Sequence, residues 1–304
     1  MGLTNFPRGI SSFGVPVLGG GNITTTGTVY FLDSGIGSDG NDGLSSERPF
    51  ATLDYAFSRC ASNNGDYIIV APGHAETITT AVGLDVAGVT VVGLGPGRSK
   101  PAFTGSGAID VFNVSAANIT IHNLRIIGAA ASVTALINTT TAGTDFSAYD
   151  CLFEPDATPL NNITINAPRY TFKQCTWRSS ANGSDYAILH ETGDCDDWIV
   201  QDCVFNYGVG LGLDLAVIAG GALKTVGGTF DNNIVIGFDV LICDFNSSTS
   251  VQGDGVISNI RAVAGAGVAD IDTANDHGGY STINCFVTDS VTESGSKSPV
   301  ATPA

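Results

Sequence analysis

The chain has 304 residues, 43% of them hydrophobic, with a mean hydropathy of +0.22, which allows a sizeable core and argues against general disorder. Charged residues make up only 13%, while there are 39 glycines, a balance that suits short strands joined by tight turns and leaves few solvated helix faces. The net charge of −17 argues against nucleic-acid backbones and anionic membranes as partners; plain solubility and a basic or cation-requiring partner both fit it.

No apolar run reaches the roughly 20 residues that span a bilayer. The first residues, "MGLTNFPRGISSFGVPVLGGG", lack a charged segment followed by an apolar one, so synthesis in a reducing cytoplasm is expected. Seven cysteines, an odd number, argue against a complete disulfide framework.

Residues 1–28 form the first segment and carry Phe6, Ile10, Phe13, Val15, Pro16, Val17 and Leu18 ahead of three glycines. Apolar residues mixed with Pro and Gly read as an extended arm that docks on another protein by strand addition. Residues 29–64 come next as a turn-rich lead-in and a helix. Asp33, Asp39, Asn41 and Asp42 resemble calcium ligands, but a calcium loop starting at Asp39 has Gly43 at its fifth position and Asp54 beyond its end. These side chains read instead as turn formers that bond the backbone. Phe50, Leu53, Phe57 and Cys60 share one helix face, with Pro49 and Thr52 near the start, which predicts a helix capping the first of the strands beyond it.

From 65 to 290 the apolar runs are short ("YIIVA", "VTVVG", "IDVFNV", "YAIL", "DWIVQ", "NIVIG") and separated by Gly, Asn, Asp and Pro. Cys151, Cys175, Cys203, Cys243 and Cys285 share a local pattern, and Asn123 and Asn259 fit it with Asn for Cys. Most steps between these positions are similar. The step from Cys203 to Cys243 is long and the one from Cys243 to Asn259 short, which requires an insertion and a short turn. A period near 25 with strands too short to stand alone predicts a solenoid of about eight or nine coils, three strands each. The repeated position reads as a ladder of stacked residues, since zinc would need paired ligands at short spacing. No metal or cofactor is expected. Cys60 and Cys195 fall outside the ladder and read as plain thiols. Residues 291–304 form a tail.

Among candidate chemistry, "HETGDCDDWIVQD" groups His190, Glu191, Asp194, Asp196, Asp197 and Asp202, with Asp194, Asp196 and Asp197 as weak catalytic candidates against a solvated turn. His74 and Glu76 in "PGHAET" read as structural. The Gly93–Arg98 stretch lacks the Gly-Lys-Ser/Thr of a phosphate loop.

The segment "GSDGNDGLSSERPFATLDYAFSRCASNNGDYIIVAPGHAETI" resembles the lead-in of right-handed β-helix proteins of the pectate-lyase-like type. The resemblance implies an all-β, right-handed parallel β-helix behind the capping helix. The arm, together with "DVAGVTVVGLGPGR" and "VSAANITIHNLRIIG", is similar, from the start of the chain to about Ala130, to structural proteins of tailed-phage virions. That likeness implies a structural component of a bacteriophage particle; with the arm, the reading is a homotrimeric capsid decoration (cement) protein on the capsid surface, made in the host cytoplasm, its arm docked on the major capsid protein. The alternative is a tail spike or fibre that binds or hydrolyses host polysaccharide. Polygalacturonase roles do not carry over: Asp196-Asp197 and His277 imitate its motifs, but its Arg-Ile-Lys is missing and Arg261 precedes the histidine. A non-enzymatic role is therefore expected, with a polysaccharide hydrolase or lyase as the alternative.

Overall fold

Alternation of apolar and polar residues over three to five positions, punctuated by Asn, Asp and Gly, makes short strands whose buried faces need neighbours on both sides. The computed structural model describes residues 10–12, 15–17, 25–130, 133–155, 161–178, 186–191, 195–207, 216–220, 227–238, 241–245, 255–264 and 281–288. Their strands stack into three parallel sheets of ten, nine and seven strands, which wind together as an all-β parallel solenoid. The chain visits the sheets in turn: Thr120–His122 in the ten-stranded sheet, Arg125–Gly128 in the nine-stranded and Ala135–Thr139 in the seven-stranded, before Ser147–Tyr149 returns beside the first.

The corner between the ten- and nine-stranded sheets is built the same way each time. One residue takes a left-handed backbone conformation: Asn123, Asp150, Gln174, Asp202, Asn232, Asn259 and Asn284, with φ between +51° and +57°. Asn and Asp tolerate this region better than other side chains, which is why the column is so rich in them. The next residue turns inward: Leu124, Cys151, Cys175, Cys203, Asn233, Ile260 and Cys285, all buried. These seven positions recur at nearly even intervals along the chain.

This corrects the predicted ladder in three places. Asn123 and Asn259 stand one residue earlier, in the left-handed column. Cys243 lies in another sheet, in strand Leu241–Phe245 opposite Ile218. The additional member is Asn233, whose buried amide accepts from Cys203 N–H (2.8 Å) and donates to Val200 O (2.9 Å). With that register the long and short steps around Cys243 disappear.

A second left-handed column, Gly88, Asn118, Asp145, Arg169, Asp197 and Gly227, precedes the strands of the ten-stranded sheet. Behind it Val89, Ile119, Phe146, Tyr170 and Trp198 point inward. At Gly228, the residue after Gly227, a methyl group would sit 2.1 Å from the Trp198 indole, so the bulk of one coil requires a glycine in the next. Inside the nine-stranded sheet Phe153, Trp177 and Phe205 stack at centroid distances of 4.7 and 4.4 Å.

At the N-terminal end, strand Val29–Leu32 already belongs to the ten-stranded sheet, pairing with Tyr67–Val70, so the solenoid begins earlier than residue 65. Helix Leu53–Ser58, capped by the Thr52 hydroxyl, buries Leu53, Ala56 and Phe57 and lies against the end strands of the ten- and seven-stranded sheets. Phe50 is fully buried just before the helix, bridged to Leu32, and Cys60 is half-buried just after it. The arm is not simply extended: Ile10–Ser12 and Val15–Val17 pair antiparallel as a hairpin, Ile10 opposite Val17.

Overpacking against Trp198 makes Gly228→Ala destabilising by about 1–3 kcal/mol, measured as a shift of the denaturant midpoint. Gly40→Ala, whose methyl would meet only Ser38 Oγ at 3.5 Å, changes stability by less than about 0.5 kcal/mol. Burial pushes the His190 imidazole down to about 3. Because its folded value lies below the unfolded one, its contribution is complete above about pH 6.5 and is lost as the pH falls toward 3. Wild type should therefore lose about 2 kcal/mol more than His190→Gln between pH 6.5 and 5, read from chemical denaturation at each pH.

Candidate functional site

Among the described residues the acidic candidates do not converge on a reacting centre. His190 is in the core, 2.6 Å from the Tyr170 hydroxyl. Asp197 and Asp202 are left-handed turn residues in the two different columns, and Asp196 supplies the backbone carbonyl that receives Arg169 N–H. Asp194 and His277, with Phe6, Phe13 and Leu18 of the arm, lie outside the described residues. Among the described residues no three His, Cys, Asp or Glu side chains group as a metal site, and no helix is long and apolar enough to cross a membrane.

The other singled-out residues are tied into the scaffold. Asp39 accepts from Ala51 N–H, Thr52 N–H and the Thr52 hydroxyl (2.9, 3.1 and 2.8 Å), which fixes the start of the helix. Asp33 and Asp42 each accept a backbone N–H two residues on, and Asn41 donates to Pro49 O. His74, buried, accepts Ser34 N–H on Nδ1, so its ring proton sits on Nε2, facing Glu76 Oε2 at 3.3 Å. The same Glu76 oxygen accepts Leu53 N–H at the helix N-terminus (3.1 Å). This chain of bonds joins the lead-in loop, the first turn and the helix. Burial, aided by Asp66, pushes the Cys60 thiol up to about 12, and Cys195 is fully buried; neither is a nucleophile.

A different set of residues does converge. The 3₁₀ turn Gly97–Ser99 overhangs the outer face of the nine-stranded sheet and encloses a cleft of about 530 Å³. Arg98 lies on that turn and Lys100 just after it, Arg125 opens its strand, Asp150 holds a corner, and Glu154 and Arg178 close strands Leu152–Glu154 and Thr176–Arg178. The register lines them up on one face. Arg125 stands opposite Leu152, which stands opposite Thr176, and Glu154 and Arg178 are two residues further along their strands.

Both carboxylates are engaged. Arg125 Nε donates to Glu154 Oε2, and that carboxylate is only 10% exposed. Lys100 Nζ donates to Asp150 Oδ1 at 2.8 Å. Among the described residues Arg98 and Arg178 have no ion-pair partner, and both are exposed. The cleft thus gathers four of the chain's 12 basic residues against two acids, in a protein of net charge −17. A positive concavity in an acidic surface concentrates anions, and a free guanidinium fork matches a carboxylate. With both lining carboxylates held in ion pairs, the exposed guanidinium groups of Arg98 and Arg178 are the ones placed to meet a ligand. Nothing in the sequence announces the cleft, since its members come from four coils and share no local motif.

No protein-family model matches this chain, nor does any curated protein sequence. Among solved structures it is similar to a rhamnogalacturonan lyase (TM-score 0.52, 14% identity, 85% of each chain). It is also similar to the pectate lyase Pel9A (TM-score 0.50, 12% identity, 88% of this chain and 78% of that one). The tailspike protein of Acinetobacter phage vB_ApiP_P1 matches with a TM-score of 0.50 at 16% identity, over 78% of this chain, which spans half the length of the tailspike. The chain has the parallel β-helix fold of pectate-lyase-like proteins.

Proposed function

We propose that this protein binds an anionic polysaccharide in the cleft of Arg98, Lys100, Arg125 and Arg178, as a β-helix virion protein of the tailspike kind. The observation that carries the reading is the concentration of basic side chains, two of them unpaired among the described residues, on one sheet face of an acidic solenoid. The size of the cleft suits a segment of a glycan chain, and its outer-sheet location leaves both ends of that chain free to run along the rod. Likeness in fold to a tailspike and to polysaccharide lyases supports the reading without assigning an activity. Lys100 and Arg125 hold the acids and shape the site; Arg98 and Arg178 meet the ligand's carboxylates.

A second reading is the homotrimeric capsid decoration protein, which rests on the hairpin Ile10–Val17. Among the described residues its two strands pair only with each other, so a capsid subunit can add a strand at an edge. Copy number separates the two: tens to hundreds per particle favours decoration, a handful favours a spike.

Affinity electrophoresis of the purified chain through gels containing polygalacturonate, alginate, hyaluronate or dextran tests the first reading. Retardation is expected in at least one acidic gel and not in dextran, weakening as salt rises. Arg178→Ala should weaken it about tenfold or more. Unretarded wild-type migration in all acidic gels, or equal retardation of Arg178→Ala, would overturn the assignment. Shortening of the polymer by the purified protein would move the reading from binding to degradation.

A further inference from the structure

Strands Asp110–Val114 and Ala135–Thr139 are neighbours in the seven-stranded sheet, with Asn113 directly opposite Asn138. Phe112, Val114, Ile137 and Thr139 are buried, while Asn113 and Asn138 are half-buried on the other side of the pleat. Asn138 Nδ2 donates to Asp110 Oδ2 at 2.8 Å, which links the carboxylate to this pair of amides. The three remaining oxygens, Asp110 Oδ1, Asn113 Oδ1 and Asn138 Oδ1, are each buried without a hydrogen-bond donor.

Leaving buried acceptors unsatisfied is costly, about 1–3 kcal/mol each, and three on side chains linked in this way call for a ligand. A water molecule has two hydrogens and satisfies two of them at most. A cation satisfies all three and also offsets the Asp110 charge. Carboxylate and amide oxygens are hard donors, of the kind calcium takes in shells of about six to eight oxygens, completed by water. Magnesium's tighter octahedral demand fits a site fixed by two parallel strands less well.

We propose that Asp110, Asn113 and Asn138 form a calcium site that clips two consecutive coils together. It lies on a different sheet from the basic cleft, and it is independent of the glycan-binding reading. Only one of its three residues is ionisable, so a search of the sequence for clustered acids passes over it. With a single carboxylate the affinity is weak, on the order of 10⁻⁴–10⁻³ M.

Calorimetric titration of the full chain with CaCl₂, after EDTA treatment and at constant ionic strength, tests the site. One calcium per chain is expected, with MgCl₂ giving much less heat. Asp110→Asn should abolish the heat while the far-ultraviolet circular dichroism stays unchanged. Asn113→Asp adds a second carboxylate and should tighten binding about tenfold. The absence of calcium heat in wild type overturns the proposal, as does wild-type affinity in Asp110→Asn. Should Asp110→Asn fail to fold, Asn113→Asp decides: unchanged affinity there overturns the site, and tighter binding supports it.

Discussion

In each coil from Asn118 to Asn232 two residues hold the left-handed backbone conformation, and through them the hydrogen-bond ladder continues around the corners of the solenoid. At each corner the N–H of the left-handed residue points along the axis to the next coil: Asn123 to Tyr149 O, Asp150 to Lys173 O, Gln174 to Gln201 O, Asp202 to Asp231 O. The carbonyl of the inward residue beside it is used as well, as when Cys151 O receives Thr176 N–H and Cys175 O receives Val204 N–H. Buried backbone groups must be paired, and a corner that skipped these bonds would leave several unsatisfied in every coil. The three sheets, the stacked aromatic core and the alignment of side chains on the outer faces all depend on coils remaining in this register.

The register also explains how the cleft can exist. Lys100, Arg125, Asp150, Glu154 and Arg178 are far apart along the chain, yet the stacked strands place them on one patch. A solenoid builds sites across its rungs, so chemistry appears as columns and seldom as local motifs. The same logic places His74 and Glu76 in a structural role. They lie close in sequence, and their bonds run to Ser34 and Leu53, binding the N-terminal lead-in to the first turn.

Much of the fold was legible in the sequence, because repeating strands, Asn/Asp turns and recurring cysteines are local signals. The register was harder to read. Asn before Leu124 and Ile260 looks like a substitute for Cys, when it is the counterpart of the Asp or Gln that precedes each of Cys151, Cys175 and Cys203. Residues of several kinds, Asn233 among them, fill the inward position, so only the left-handed neighbour marks it. Cys243 matched the local pattern by its aromatic neighbour alone and belongs to another sheet. Asp197 looked catalytic because adjacent acids imitate a carboxylate pair; a turn that needs φ near +55° accounts for it. The cleft and the cluster around Asp110 were not legible at all, since both require knowing which residues stand opposite one another.

The stacked thiols of Cys151, Cys175 and Cys203 bear on how the protein tolerates its surroundings. All three are free and buried, and burial together with the two neighbouring thiols pushes Cys175 well above its ordinary range. Disulfide exchange requires an exposed thiolate, which this row withholds. Along this seam the consequence is a column of sulfur atoms that an external oxidant does not reach, and that holds three coils in register by packing instead of by covalent links.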